Sequence, residues 1–294
     1  MGLAEHLGEA TFDIFPSKQI DTIINRLEDA NLPLGTRLTI ANHDFNEAYE
    51  LVEKLPKKYF LITHLQARDT RKEDLEGLLE KLWREGIEEI FVIGGDIDIP
   101  VKGGYTSALE MIKDIRELEG KLQPNHRFKI GVAGYPGGHP HFKDKESVLD
   151  DLRQKAGYAD FLVTQFCTDT RKIIEYLKWI REKIPVYEVR LGIPSNYDLD
   201  VLKKDAVQFR AQENLAYLNK DRSTAYLLIS DYLTSIMAKI PILRNYTYLF
   251  PFFSREKFFR DIIPHAGRLY NSVNIFTKNQ PFKALELLKQ YKFY

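Results

Sequence analysis

The feature that most constrains the fold of this chain is the alternation of short apolar runs with longer amphipathic stretches. The runs are rich in β-branched and aromatic residues and end at Gly, Pro, Asn or polar clusters, which is typical of strands. Between them, apolar residues such as Leu75, Leu78 and Leu82 recur at helical spacing. The predicted strands cover residues 11–15, 37–41, 59–67, 89–96, 128–135, 160–166, 186–194 and 272–279.

The architecture follows from the character of these runs. Several are continuously apolar rather than alternating, which indicates strands buried on both faces, as in parallel sheets with crossover helices. Eight strand–helix units within 294 residues predict one (β/α)₈ TIM barrel, a single α/β domain over residues 1–294. A doubly wound sheet with a G-x-G-x-x-G turn is the rival, but Gly94-Gly95-Asp96 and Gly137-Gly138 have the wrong spacing for that motif.

Two local signals refine this prediction. Asp74 precedes an amphipathic stretch and is expected to cap its first N–H groups, while Gly86 stands where a helix terminator is expected. The interval 195–271, between the seventh and eighth predicted strands, is too long for one crossover helix, so extra helices are predicted there. Its aromatic cluster is expected to pack on the barrel or on a second subunit, with a ligand lid as the alternative.

Charge and cysteine content exclude several classes of function. The chain has 42 Lys+Arg and 42 Asp+Glu, so its formal net charge is zero. Without a basic block, it has no obvious means of binding nucleic acid or an anionic membrane. Cys167 is the only cysteine, which rules out an internal disulfide and indicates a reducing compartment. Because neither a signal peptide nor a membrane-spanning run is recognisable, we expect a cytoplasmic protein.

In a barrel, catalytic side chains lie at the carboxyl ends of the strands, so the polar residues there are the candidates for a site. Their convergence predicts a polar ligand pocket. A metal site formed by His64, Asp96, His139 and His141 is the weaker alternative, because the spacing supplies no close third ligand. Cys167 is expected to be a small buried residue rather than a nucleophile. The candidates are Asp13, His64, Gln66, Asp96, Tyr135, His139, His141, Gln165, Cys167, Ser195, Asn196, Tyr197, Thr277 and Asn279.

Six segments contain or adjoin the candidate residues at the strand ends. They are FDIFPSK at 12–18, THLQARD at 63–69, GGD at 94–96, AGYPGGHP at 133–140, DLRQKAGYADFLVTQF at 151–166 and NIFTKN at 274–279. In this order they resemble the successive motifs of the methylenetetrahydrofolate reductase family. The resemblance implies a barrel that passes hydride from NAD(P)H, usually through noncovalent FAD, to 5,10-methylenetetrahydrofolate, giving 5-methyltetrahydrofolate. A tetrahydrofolate derivative is then the small-molecule partner.

The resemblance also assigns roles to residues. Asp96 matches an aspartate near the flavin and the pterin, and Gly95 belongs to the same cofactor-binding motif. Gln165 matches a glutamine that hydrogen-bonds the folate, and Tyr197 an aromatic residue that stacks on the folate or nicotinamide. The residues that match flavin contacts are His64, Tyr135, His139 and Lys155.

Three departures from the family pattern change what is expected. Gly94 and Gln154 stand where basic residues are common, so two cations near the dinucleotide diphosphate are replaced and FAD binding is expected to be weaker. The variants resemble a divergent branch in which NADH reduces the folate directly. Asp13 replaces a glutamate, and we expect its carboxyl group, in an apolar strand, to have a raised pKa and to protonate N10.

Two other functions are compatible with the same barrel. One is a folate-dependent methyl-transfer or demethylation enzyme without redox activity. The other is a catalytically silent folate-binding subunit of a larger complex, suggested by the replaced cations and the aromatic segment 246–259. The sequence does not choose between NADH and NADPH, because no Rossmann acidic residue is present to recognise the ribose. It also does not predict an oligomeric state.

Overall fold

The structure is a computed structural model. It describes residues 11–14, 20–21, 24–25, 28, 37–40, 45–95, 100–122, 127–139, 142, 144–165, 170–184, 188–190 and 274–275.

Every one of the eight predicted runs contains a strand. All the pairings are parallel, and the sheet order is β7-β6-β5-β4-β3-β2-β1-β8. The predicted parallel α/β architecture is therefore confirmed for the described residues. The strands are β1 (Thr11–Ile14), β2 (Arg37–Ile40), β3 (Phe60–Gln66), β4 (Glu89–Ile93), β5 (Lys129–Gly134), β6 (Phe161–Thr164), β7 (Glu188–Arg190) and β8 (Asn274–Ile275).

Helices connect the successive strands from β2 to β7, as parallel pairing requires. Short 3₁₀ turns at Ala67–Asp69 and Lys72–Asp74 precede the second of them. The predicted helices within 195–271 lie outside the described residues. None of the helices in the described part of the chain combines the length and the apolar character that crossing a membrane would need. Residues 20–21, 24–25 and 28 are also helical. The helices of the described part of the chain whose two ends are both given are α1 (Phe45–Lys54), α2 (Leu75–Arg84), α3 (Ala108–Leu122), α4 (Lys145–Ala156) and α5 (Thr170–Lys183).

One face of the sheet, here called the outer face, is covered by the helices. Strand register places alternate residues of neighbouring strands on this face, and Tyr176 of α5 contacts it at Gly134. Its side chains are almost completely buried, which explains why the strands read as apolar runs. The outer-face residues include Leu38, Ile40, Leu61, Thr63, Leu65, Ile90, Val92, Ile130, Val132 and Leu162.

The opposite, inner face is filled at the amino ends of β4, β5 and β6 by a layer called the floor, which consists of Glu89, Lys129, Phe161 and Arg190. A Cβ on Gly131 would lie 2.2 Å from the Phe161 ring, so the ring occupies the space that a side chain there would take. Arg190 stacks on that ring, with its guanidinium carbon 3.4 Å from the ring centre. Arg190 and Lys129 donate to Glu89 over 2.8 and 3.0 Å.

The ends of α2 confirm one local prediction and correct another. Gly86 follows the helix with φ of 75°, as a terminating glycine should. The prediction that Asp74 caps the helix is wrong, because its backbone is already helical and its side chain accepts no cap hydrogen bond. The 3₁₀ turn Lys72–Asp74 runs directly into the helix, and the Asp74 carboxylate instead accepts from Arg71 Nε over 2.7 Å.

The floor generates a stability prediction. Glu89→Gln removes the negative charge that compensates the buried Arg190 guanidinium, which is only 2% exposed. Breaking a buried pair in this way is expected to lower the free energy of unfolding by about 3–5 kcal/mol. Urea unfolding measures the change, with Glu88→Gln at the neighbouring exposed position as the control. Equal unfolding midpoints for the two variants would contradict the role given to Glu89.

Candidate functional site

Above the floor, the inner face remains partly exposed towards the carboxyl ends of the strands. The half-buried side chains of His64, Phe91, Ile93, Ala133 and Val163 line it. The His64 ring packs edge-on against Phe91 with ring centres 4.9 Å apart. A mostly apolar surface with a few polar groups, closed at one end, is the form that small-molecule sites take.

The turn after β4 contributes Gly94 and Gly95 to the rim of this surface. Gly95 has φ of 90°, and a Cβ there would lie 3.0 Å from an Asp69 carboxylate oxygen and 3.4 Å from Gln66 Oε1. Position 95 therefore needs glycine both for its backbone conformation and for the space that the β3 end occupies. This accounts locally for the second glycine of the GGD motif.

Arg68 brings a cation to the same rim, although no sequence pattern predicts a role for it. Its backbone N–H donates to the Gly94 carbonyl over 3.1 Å, and its guanidinium Nη1 lies 3.8 Å from where a Gly94 Cβ would be. A positive charge thus lies beside the position where the family commonly has a basic residue. The residue belongs to the THLQARD segment, but its proximity to Gly94 depends on the β3–β4 pairing, which no local pattern reveals.

The segment that carries Arg68 is held from its other side by the 100–105 loop. Val101 N–H donates to the Arg68 carbonyl over 2.9 Å, and Tyr105 N–H to the Ala67 carbonyl over 3.2 Å. Lys72 is paired with Glu110 at the start of α3. This lysine, with the N–H and hydroxyl of Thr106, lowers the pKa of Glu110 to about 2. The carboxylate therefore stays ionised near neutral pH and keeps the two segments linked.

The turn after β5 carries Tyr135 and His139. Gly138 N–H donates to the Tyr135 carbonyl over 3.1 Å, which folds the turn back on itself. The Tyr135 and His139 rings meet edge to face with centres 4.3 Å apart, and His139 meets Phe142 in the same way at 4.9 Å. These rings form a continuous aromatic wall at the carboxyl end of β5.

Gln165 lies next to this wall. It follows the last residue of β6, and its backbone N–H donates to the Gly134 carbonyl over 2.6 Å. The structure therefore brings Gln165, Tyr135 and His139 together at neighbouring strand ends, and places His64 on the inner face of β3. These four predicted positions share one end of the sheet.

Lys155 has a different setting. It lies in the last turn of α4, and its ammonium group is 2.5 Å from the Asp151 carboxylate, with the lysine side chain 11% exposed. Arg153 on the same helix pairs with Glu146 and Asp150 and stacks over Trp179. The cations that flank Gln154 are thus already neutralised by carboxylates of their own helix. The role of Lys155 as a cofactor contact stays a prediction.

Several predicted site residues lie outside the described part of the structure, and Asp13 is described by its backbone. Asp13 is in β1, where its backbone is in register with Thr39 of β2. Within the part of the chain that the structure covers, no group of three His, Cys, Asp or Glu side chains is arranged to hold a metal ion. The metal alternative also involves Asp96 and His141, so it stays a hypothesis. The candidates outside the described residues are Asp96, His141, Cys167, Ser195, Asn196, Tyr197, Thr277 and Asn279.

Comparison with known proteins identifies the family of this chain. The family model for methylenetetrahydrofolate reductase matches residues 17–194, which is more than half of the chain. A 5,10-methylenetetrahydrofolate reductase of Buchnera aphidicola is 25% identical over 207 residues, covering 67% of this chain and 68% of its own. The match to Methylenetetrahydrofolate reductase 2 of Saccharomyces cerevisiae is 33% identical and covers 40% of this chain and 20% of that protein.

A plant relative and a solved structure also match this chain. Methylenetetrahydrofolate reductase (NADH) 1 of Arabidopsis thaliana is 25% identical, and the match covers 58% of this chain and 32% of that protein. The chain therefore spans well under half of the yeast and plant relatives. Among solved structures, the N-terminal domain of a putative aldolase from Bacteroides vulgatus covers 97% of both chains at 14% identity and a TM-score of 0.43, a likeness too weak to bear on function.

The rim geometry predicts that Gly95→Ala is destabilising. The new methyl group would sit 3.0 Å from Asp69 in a backbone conformation with φ of 90°. We expect a loss of about 1–3 kcal/mol in the free energy of unfolding, measured by urea denaturation. Gly77→Ala is the control, since a Cβ there meets nothing within 4 Å on a helix. It should be neutral or stabilising by up to about 1 kcal/mol, and a similar loss in both variants would argue against a special requirement at Gly95.

Proposed function

This chain belongs to the methylenetetrahydrofolate reductase family, and on that premise we propose that it is an oxidoreductase that reduces 5,10-methylenetetrahydrofolate to 5-methyltetrahydrofolate with NAD(P)H as hydride donor. The observation that carries the proposal is the family match over 17–194, which includes β2–β7 and four of the six motifs in full. The grouping of His64, Tyr135, His139 and Gln165 at one end of the sheet supports it.

The same proposal includes a closed (β/α)₈ barrel formed by one domain over residues 1–294. The order in which β8 pairs with β1 while β7 lies at the opposite edge is that of a barrel opened between β7 and β8. In an open sheet, the connection from β7 to β8 would have to cross all the other strands, which chains rarely do. Extra helices within 195–271 complete the proposed barrel, and a cytoplasmic location is expected.

In the proposed reaction, the folate enters from the carboxyl ends of the strands and lies on the inner face above the floor. Gln165 hydrogen-bonds the pterin, and Tyr197 stacks on the folate or nicotinamide. Asp13 donates a proton to N10, the C–N10 bond breaks, and the methylene group becomes an iminium on N5. A hydride from the nicotinamide ring then adds to that carbon, so one NAD(P)H and one proton are consumed for each 5-methyltetrahydrofolate.

The residues of α4 do not fit a clamp for the FAD diphosphate. Gln154 is uncharged, and the Lys155 and Arg153 cations are held by Asp151, Glu146 and Asp150. Recruiting them would break ion pairs, and charge-assisted bonds are the usual source of phosphate affinity. We therefore propose direct hydride transfer from the nicotinamide cofactor, with His64, Gly95, Asp96, Tyr135 and His139 contacting that cofactor.

One experiment separates these alternatives: the visible spectrum of the purified protein after FAD addition and desalting, followed by a folate-dependent NADH oxidation assay. We expect no flavin band and NADH oxidation that requires the folate. A flavin band that survives desalting would overturn direct transfer and leave an FAD-dependent reductase. If neither NADH nor NADPH is oxidised, with or without FAD, the reductase assignment fails, and methyl transfer or a silent folate-binding subunit takes its place.

The general acid is tested by Asp13→Asn. The amide is nearly the same size but has no acidic proton to give, so turnover should fall by about 10²–10⁴-fold while the Kd for the folate changes little. Stopped-flow NADH oxidation and a folate fluorescence titration measure the two quantities. Asp21→Asn, at an exposed helical position, is the control for loss of an acidic group. Unchanged turnover in Asp13→Asn would remove Asp13 from the mechanism.

A further inference from the structure

A buried tyrosine of α5 contacts the point at which β5 leaves the sheet. The Tyr176 hydroxyl oxygen accepts the backbone N–H of Tyr135 over 3.2 Å. Tyr176 is 2% exposed, and burial raises the pKa of its hydroxyl far above the usual range. The phenol is therefore neutral at any physiological pH, and its oxygen stays a hydrogen-bond acceptor for this one amide.

The absence of a side chain at Gly134 leaves room for this hydroxyl group. A Cβ on Gly134 would lie 2.5 Å from the Tyr176 oxygen and 2.8 Å from a Leu162 methyl group. Real side chains do not approach so closely, so the hydroxyl can reach the Tyr135 amide only because residue 134 is glycine. The contact thus depends on two residues, one on α5 and one at the end of β5.

The bond fixes the peptide unit that joins Gly134 to Tyr135, directly after β5. The Gly134 carbonyl of this unit accepts the N–H of Gln165, the last described residue of the β6 segment. The Tyr135 N–H of the same unit donates to the Tyr176 hydroxyl of the helix layer. From this residue the chain turns, and the Tyr135 and His139 rings come together with centres 4.3 Å apart. The orientation of the first peptide of a turn determines the direction in which the turn leaves the strand. The Tyr176 bond therefore fixes the point from which the aromatic wall begins.

We propose that Tyr176 is a positioning residue that fixes the exit of β5 and thereby holds the Tyr135 and His139 rings in the orientation that binds the nicotinamide cofactor. The role of the two rings as cofactor contacts rests on the proposed function. The orientation itself rests only on the contacts described above. Tyr176 lies on the helix side of the sheet, so it acts through Tyr135 and does not touch the ligand.

The test compares Tyr176→Phe with Tyr158→Phe, a control that removes a hydroxyl from a half-buried tyrosine after α4. Tyr176→Phe keeps the ring and deletes only the acceptor. Hydrogen exchange at the Tyr135 amide should accelerate by at least about tenfold, since its bond is lost. The His139 ring resonances, which the Tyr135 ring shifts, should move towards those of an exposed histidine. NADH affinity, from fluorescence titration, should weaken about tenfold, the effect of one buried hydrogen bond.

A second variant covers the case in which Tyr176→Phe folds poorly. Gly134→Ala retains the phenol but displaces its oxygen, and it should give the same changes in Tyr135 exchange and His139 resonances. If both variants lose stability while exchange, resonances and NADH affinity match Tyr158→Phe, Tyr176 is only a packing residue and the proposal is overturned. If the parent protein binds neither NADH nor NADPH, the proposed function fails, but exchange and resonances still decide whether Tyr176 positions the wall.

Discussion

The Phe161 ring lies on the inner face only because Gly131 has no side chain, and the form of the site follows from that contact. The ring provides the surface on which the Arg190 guanidinium stacks, and Arg190 in turn requires Glu89 as its buried counter-charge. Buried charges without such partners would be costly. Together these groups close the inner face at the amino ends of β4, β5 and β6, so along these described strands a ligand can approach the inner face towards the carboxyl ends. The polar strand-end residues are at that open end.

Much of this arrangement is encoded in local sequence patterns. The eight apolar runs identify the strands, because the outer-face side chains are buried by helices and almost all apolar. Register then brings His64 next to Phe91 and Gln165 next to the Tyr135 turn, as expected for residues at the ends of parallel strands. The family resemblance, read from motifs in order along the chain, is confirmed by the match over 17–194.

What the sequence could not reveal depends on contacts between distant segments. Asp74 is a residue type that commonly caps helices, but the 3₁₀ turn that contains it continues directly into the helix. Its carboxylate forms an ion pair with Arg71 instead. The family resemblance assigns Lys155 to a cofactor contact, whereas the structure shows that Asp151 one turn earlier pairs with its ammonium group. Arg68 was overlooked because its position beside Gly94 exists only once β3 and β4 are paired. The roles of Asp13, Asp96 and Tyr197 stay predictions.

The pair between Arg190 and Glu89 also has a consequence for how the chain reaches this structure. The two residues are 101 positions apart, whereas most strand pairings join neighbours in the chain. Local strand–helix units can therefore assemble successively during synthesis before this pair forms. The Glu89 carboxylate has Lys129 of β5 as one partner, and it gains the guanidinium only when β7 arrives. The buried pair of the floor is thus completed in a late folding step, and a chain interrupted before β7 leaves Glu89 without its arginine partner.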